Sequence, residues 1–209
     1  MDTWAGLADE RRAIADLLES LTPEQWQVPT LCSAWNVHEM AAHLTVPCTF
    51  TQAEVVRTLI QARGDTGRFG LLMTERRFGK SPAELVGVLR ERAGVRRAPP
   101  IVGRLGPYSD TLIHHQDILI PLGMTDQRPA ERWRATLDFL VSPRARIGFR
   151  PARLPAVRLV ATDLDWAHGD GPEASAPAAA LALTMAGRRA RLDELEGAGA
   201  ERMRAWARD

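Results

Sequence analysis

Apolar side chains recur at helical spacing through the first two thirds of the chain. In residues 3–20, Leu7, Ile14, Leu17 and Leu18 share one face with charged residues between them, which predicts an amphipathic helix. The same kind of pattern predicts further helices over about 50–62, 68–78, 81–94, 108–120 and 128–141. The connection "RAGVRRAPPIVGRLGP", residues 92–107, is basic and rich in proline and glycine and is interpreted as a solvated loop rather than a phosphate-binding one.

Another helix is predicted to begin at Asn36. Its side chain suits the N-terminal cap, and Glu39 can return the hydrogen bond in a capping box. Pro47 should kink or interrupt this helix, because proline lacks the backbone N–H that the helix needs.

The pattern changes after about residue 150. Val157, Leu159 and Ala161 alternate with their neighbours and lead into a glycine-rich turn, which predicts a strand and a hairpin. A helix from near Pro177 should cover "PAAALALTMAGRRARLDELEG". We therefore predict a helical domain over residues 1–148 and a small α/β domain over residues 149–209.

Composition limits the classes of function. With 45% apolar residues among 209, the chain can fill a core, and 27 basic against 26 acidic residues give no field for nucleic acid or an anionic membrane. The first residues lack the pattern of a signal peptide, so a cytoplasmic protein is expected. Cys32 and Cys48 are too few for a disulfide framework and have no CxxC spacing.

A polar line runs along the otherwise apolar segment "YSDTLIHHQDILIPLG". At 100° per residue, Asp110, His114 and Asp117 fall within about 60° of one another on a helix. Burying such groups without compensation costs several kcal/mol, so they must pair or bind a cation. His115 lies about 100° from His114 and is interpreted as a neighbour or a surface residue.

His43 offers a partner from the helix that begins at Asn36. Facing helices that present His43 and the pair Asp110 and His114 would form a two-histidine, one-carboxylate set, which leaves positions open for substrate. Simpler interpretations stay open: His43 as a hydrogen-bonded core residue, Asp110 as an N-terminal helix residue, and His114 with Asp117 as a plain i, i+3 pair.

Three segments resemble the mycothiol-dependent maleylpyruvate isomerase family of the DinB-like metal-binding superfamily. They are "WQVPTLCSAWNVHEMAAHL", "SDTLIHHQDILIPLG" and the C-terminal pair "VRLVATDLDWAHGDGPE" and "ALTMAGRRARLDELEG". The resemblance implies an α+β fold, with a DinB-like four-helix bundle and a small C-terminal α/β domain. It also implies a divalent metal, typically zinc, held by His43, Asp110 and His114.

The implied chemistry uses mycothiol as a thiol cosubstrate. A metal-bound thiol is deprotonated, and its thiolate would attack a small-molecule electrophile. Addition to a maleyl-type double bond breaks the π bond and permits rotation, after which the C–S bond breaks and releases the trans isomer. An alkyl or epoxide electrophile would make the protein a thiol S-transferase. The resemblance suggests that Arg188, or Arg189, binds a carboxylate of the substrate or thiol.

One position departs from the family, whose carboxylate ligand is usually Glu. Asp110 is one methylene shorter, so the ion would lie closer to its helix, or that helix would move inward. Asp117 is expected to accept a hydrogen bond from a ligand imidazole or a nearby backbone N–H rather than to be a fourth ligand. Two alternatives remain: a structural or sensing metal site without thiol chemistry, and a hydrolase centre of Asp163, Asp165 and His168.

Overall fold

The computed structural model describes residues 2–32, 35–99, 102–126, 128–149 and 153–208, with residues 66, 147 and 148 described by their backbone alone. Ser33 and Ala34, inside the first family-like segment, lie outside the described residues. The α-helices are α1 (Thr3–Glu19), α2 (Val37–Thr49), α3 (Gln52–Ala62), α4 (Thr66–Glu75), α5 (Pro82–Glu91), α6 (Leu105–Leu119), α7 (Arg134–Leu140), α8 (Ala145–Gly148), α9 (Ala178–Met185) and α10 (Ala200–Arg208). The strands are β1 (Arg158–Ala161), β2 (Ala167–His168) and β3 (Glu173–Ala176).

Four helices, α1, α2, α5 and α6, share one apolar core. Their buried faces follow the helical spacing of the sequence, which is why the amphipathic pattern located them. The core residues are Ile14, Ala15 and Leu18 of α1, Val37, Met40, Ala41, Ala42 and Leu44 of α2, Leu85, Val86 and Leu89 of α5, and Ile118 of α6, with Trp26 packed among them. The predicted four-helix bundle is confirmed.

The start of α2 is fixed by the predicted capping box. The Asn36 side chain accepts a hydrogen bond from the Glu39 backbone N–H, and the Glu39 carboxylate accepts one from the Asn36 N–H. The helix continues past Pro47 and ends at Thr49, so Pro47 does not interrupt it, and a kink at Pro47 stays a prediction. Pro47 has no N–H to donate to the carbonyl four residues earlier, which belongs to His43.

Arg77 fastens the hairpin of α3 and α4 to the end of α2. This buried guanidinium donates to both Glu54 carboxylate oxygens at 2.8 and 3.2 Å, to Thr49 Oγ1 at 2.9 Å and to the Met73 carbonyl at 2.6 Å. Because the charge is buried, these bonds compensate for the water it loses. The last turn of α4 is thereby held in a fixed position against α2.

The three strands form one sheet in the order β2-β1-β3. β1 pairs antiparallel with β2, as the predicted hairpin requires, and parallel with β3, a strand that the sequence pattern did not reveal. Leu159 and Ala161 are buried on one face of β1, and α9 and α10 pack against the sheet. The chain is therefore of the α+β class, as predicted.

Two predicted helices are shorter than expected. The helix from near Pro177 ends at Met185, and Gly187 follows with a φ of +81°, a conformation that favours glycine and stops the helix. The residues after it form a 3-10 turn (Leu192–Glu194) and α10. The helix predicted over 128–141 is divided into a 3-10 turn (Ala130–Trp133) and α7.

The chain divides into two compact units. The first comprises residues 1–98 and 110–125, the second residues 99–109 and 126–209, and α6 is divided between them at Asp110. The predicted domain boundary between residues 148 and 149 stays a prediction. Among the described residues, no helix has the length and apolar character needed to cross a membrane.

The Arg77 cluster predicts a pH-dependent stability. Hydrogen bonds from Arg77 outweigh the effect of burial and lower the pKa of Glu54. The contribution of ionised Glu54 to the free energy of unfolding is therefore fully present above the ordinary pKa of about 4.3, and it is lost as the pH falls through the lower pKa of the folded protein. We expect Glu54→Gln to lower the free energy of unfolding at pH 7 by about 1.5–3 kcal/mol and to flatten the acid side of the stability profile, measured by urea unfolding.

Glu84→Gln provides the matched control, because Glu84 closes a capping box on α5 without a buried arginine partner. Its effect should be much smaller, since glutamine can also close a capping box. Equal losses in the two variants would contradict the role given to the Arg77 pair.

Candidate metal centre

The three predicted ligands converge at one point of the first unit. His43 projects from α2, while Asp110 and His114 project from α6, four residues and about one turn apart. One ligand atom from each lies within 4.8 Å of the others. Among the residues that the structure describes, this is the one group of three or more His, Cys, Asp and Glu side chains placed to share an ion.

The spacing within this group fits a small ion. Asp110 Oδ1 lies 3.3 Å from His114 Nε2, and Asp110 Oδ2 lies 3.4 Å from His43 Nε2. Two ligand atoms on a tetrahedral zinc, with bonds of about 2.0–2.1 Å, lie about 3.4 Å apart. The Asp110 side chain is 30% exposed, which leaves one side of the group accessible to solvent.

Asp117 orients His114. Its buried carboxylate accepts a hydrogen bond from His114 Nδ1 at 2.8 Å, as the sequence predicted, and so leaves Nε2 directed at Asp110. The backbone carbonyl of Asp117 also accepts from the Leu31 N–H, which ties the loop before α2 to α6.

The neighbouring charges in this group shift the pKa values of Asp110 and His114. Burial alone would disfavour charged His114, but the carboxylates of Asp110 and Asp117 outweigh it and raise the pKa of His114 to about 10. Burial would likewise raise the pKa of Asp110, but His114 and His43 hold it well below its usual range. A divalent cation would replace the proton on His114 as the compensating charge.

His43 has a different kind of partner. Its Nδ1 lies 3.1 Å from the hydroxyl oxygen of Thr74 in α4, while its buried Nε2 has no hydrogen-bond partner. An unpaired polar atom in a buried site costs free energy unless a ligand completes it, so this nitrogen fits a metal ligand.

Trp35 forms a wall of the site. Its ring stacks on His43, with ring centres 4.6 Å apart, and meets His114 edge-on at 6.3 Å. The sequence motif contained this tryptophan, but nothing in its spacing showed that the ring would cover a ligand. Thr74 lay outside every motif, because helix periodicity alone does not tell which helix faces His43.

Of the two interpretations of His115, that of a surface residue is wrong. His115 is 4% exposed and its Nδ1 lies 2.7 Å from the carboxylate of Glu10, which is also buried. The pair joins α6 to α1 on a different side of α6 from the candidate ligands.

The C-terminal candidates have local roles within the second unit. Arg188 lies just after Gly187 and donates to the Ala186 carbonyl at 2.9 Å, and Arg189 donates to backbone carbonyls of α10. Asp163 accepts from the Ala178 N–H at 2.7 Å and so caps α9. That bond gives Asp163 a structural explanation, which weakens the hydrolase alternative.

Comparison with known proteins finds similarity to one family and to two solved structures. Residues 7–100 match the family model of the mycothiol maleylpyruvate isomerase N-terminal domain. A crystal structure of the mycothiol-dependent maleylpyruvate isomerase is similar, with a TM-score of 0.51 and 12% identity over 96% of this chain and 97% of that one. A histidine-to-alanine mutant of such an isomerase has a TM-score of 0.57 and 14% identity over the same shares. No curated protein sequence matches the chain significantly.

At this identity the structural likenesses show the fold, which is the DinB-like α+β fold of these isomerases. The family model adds the N-terminal helical region at the level of sequence. The predicted resemblance to the mycothiol-dependent maleylpyruvate isomerase family is therefore confirmed.

The His114 environment gives a direct prediction for the metal-free protein. Its imidazole should titrate near pH 10, so its stabilising contribution is complete below the ordinary pKa of about 6.5 and is lost as the pH rises through about 10. Asp117→Asn should lower the midpoint, and Asp9→Asn, at an exposed position of α1, should leave it unchanged, as followed by NMR. A wild-type midpoint near the ordinary value would contradict this electrostatic description.

Proposed function

We propose that this protein is a divalent-metal-dependent enzyme that uses mycothiol to attack an electrophilic small molecule. The observation that carries the proposal is the convergence of His43 Nε2, Asp110 and His114 Nε2 within 4.8 Å. The fold and the family resemblance of residues 7–100 support the choice of thiol chemistry over other reactions of such a site.

The donor set suits zinc or a similar divalent ion. Two imidazole nitrogens and one carboxylate are the ligands of many catalytic zinc sites, which keep a further position open. An ion held by His43, Asp110 and His114 would lower the pKa of a thiol bound at the open position, so that the thiolate nucleophile would be present at neutral pH.

The surrounding residues prepare the site for that role. Asp117 and Thr74 bind the outer nitrogens of His114 and His43, which fixes both rings. The Trp35 ring shields His43 from water on one side, while partly exposed Asp110 marks the accessible side. The chain's own cysteines are not needed, because the nucleophile comes from the cosubstrate.

Two electrophile classes fit the proposal. The similarity to solved mycothiol-dependent maleylpyruvate isomerases favours a cis-to-trans isomerisation of the maleylpyruvate type. A thiol S-transferase would use the same thiolate on an alkyl or epoxide carbon. Arg188 is proposed to bind a carboxylate of the substrate or of mycothiol, on the resemblance alone.

Metal content tests the centre itself. We expect about one equivalent of zinc or a similar ion per chain in the wild type, and its loss in His43→Ala and His114→Ala, by elemental analysis of folded protein. Because His114 must lose a proton to bind the ion, affinity should rise with pH below about 10.

Asp163→Ala is the control for this experiment, since Asp163 caps α9 and belongs to the competing hydrolase hypothesis. It should retain the metal. Retention in His114→Ala together with loss in Asp163→Ala would place the centre in the C-terminal region and refute the proposed ligand set.

Turnover tests the chemistry. Mycothiol should be required for the conversion of maleylpyruvate, or for consumption of an alkyl or epoxide electrophile, and His114→Ala should abolish that activity. Thiol consumption distinguishes the two reactions, because the isomerase regenerates mycothiol and the transferase incorporates it. A metal-loaded protein that turns over none of these would favour the alternative, a non-catalytic metal-binding or sensing protein of the same fold.

A further inference from the structure

The Thr74 hydroxyl has two neighbours that define where its single proton lies. Its oxygen is 2.8 Å from the Gly70 carbonyl oxygen and 3.1 Å from His43 Nδ1. The carbonyl has no proton to give, so the short contact requires the hydroxyl to donate to it. The hydroxyl can then only accept from His43.

This assignment fixes the protonation of the His43 ring. Nδ1 must carry the hydrogen that Thr74 accepts, and in the neutral imidazole Nε2 is then a bare lone pair. The structure is consistent with that state, because buried Nε2 faces Asp110 Oδ2 at 3.4 Å without making a hydrogen bond to it.

We propose that Thr74 is a positioning residue that holds His43 in the Nδ1–H tautomer, with Nε2 available to a metal ion. The value of this role for metal binding rests on the proposed function. The tautomer itself is a property of the metal-free protein, so it can be tested separately.

Thr74 is well placed to act on His43 reliably. Its side chain is fully buried, so water does not compete for its hydroxyl. The preceding residue, Met73, offers its carbonyl to Arg77, and Arg77 is in turn bound to Glu54 and Thr49. The position of the hydroxyl is thus set by the contact between the α3 and α4 hairpin and α2.

The other tautomer would disable the ligand. With the hydrogen on Nε2, His43 would donate toward Asp110 Oδ2, and the lone pair on Nδ1 would face Thr74, whose proton is already used. That state would block both His43 and part of Asp110. Thr74 disfavours it without adding a charge to the site.

The test compares three variants by NMR and zinc titration. In metal-free wild type, long-range proton–nitrogen spectra of the neutral His43 ring should show hydrogen on Nδ1 and a bare Nε2. Thr74→Val, nearly isosteric but without a hydroxyl, should shift the population toward Nε2–H. It should also weaken zinc binding about 10–100-fold.

Thr74→Ser keeps the hydroxyl and should retain the wild-type tautomer and most of the zinc affinity. Thr58→Val is the matched control, since Thr58 is equally buried in α3 and its hydroxyl has no hydrogen-bond partner. It should change neither measurement, which separates a general packing effect from the contact with His43.

The outcomes separate this inference from the proposed function. A wild type with hydrogen on Nε2, or a Thr74→Val protein with unchanged tautomer, overturns the role of Thr74, even if zinc still binds. A tautomer change in Thr74→Val in a protein that binds no metal supports the role of Thr74 and refutes the metal centre. If Thr74→Val does not fold, the wild-type and Thr74→Ser tautomers still decide the assignment.

Discussion

Compensation of buried charge on α6 organises the helical unit. This helix carries the buried side chains of His114, His115 and Asp117 and the partly exposed side chain of Asp110, and each of the four has a polar partner. Two of those partners come from other helices, His43 from α2 and Glu10 from α1. Apolar packing would permit several rotations of α1 and α2 about α6, but pairing these groups favours one of them. The group of candidate ligands is thus part of what defines the bundle.

Much of this arrangement was predictable from the sequence, and there are physical reasons why the other contacts and element ends were not. The 3.6-residue period placed Asp110, His114 and Asp117 on one line, and the capping residues located the start of α2. Periodicity describes one helix at a time, so it did not show that Thr74 would face His43 or that Glu10 would reach His115. The early end of α9 depended on the backbone conformation of Gly187, and β3 is too short to produce a clear alternating pattern.

The shorter carboxylate at position 110 is accommodated in this geometry. Its two oxygens lie at nearly the same distance from the two imidazoles, 3.3 and 3.4 Å, so aspartate bridges the histidines without a longer side chain. The two imidazoles nevertheless differ in character. His114 is backed by an anion, which makes it a stronger electron donor, whereas His43 is backed by a neutral hydroxyl.

Pro47 removes one backbone hydrogen bond from α2 at the candidate ligand His43. Because Pro47 has no N–H, the His43 carbonyl does not receive the i to i+4 hydrogen bond of an α-helix, although the helix continues to Thr49. The His43 carbonyl is therefore held by one hydrogen bond fewer than the other carbonyls in the middle of α2. The segment of α6 that carries Asp110 and His114 has no proline between Asp110 and Leu119, so the backbone on the two sides of the group differs in this respect.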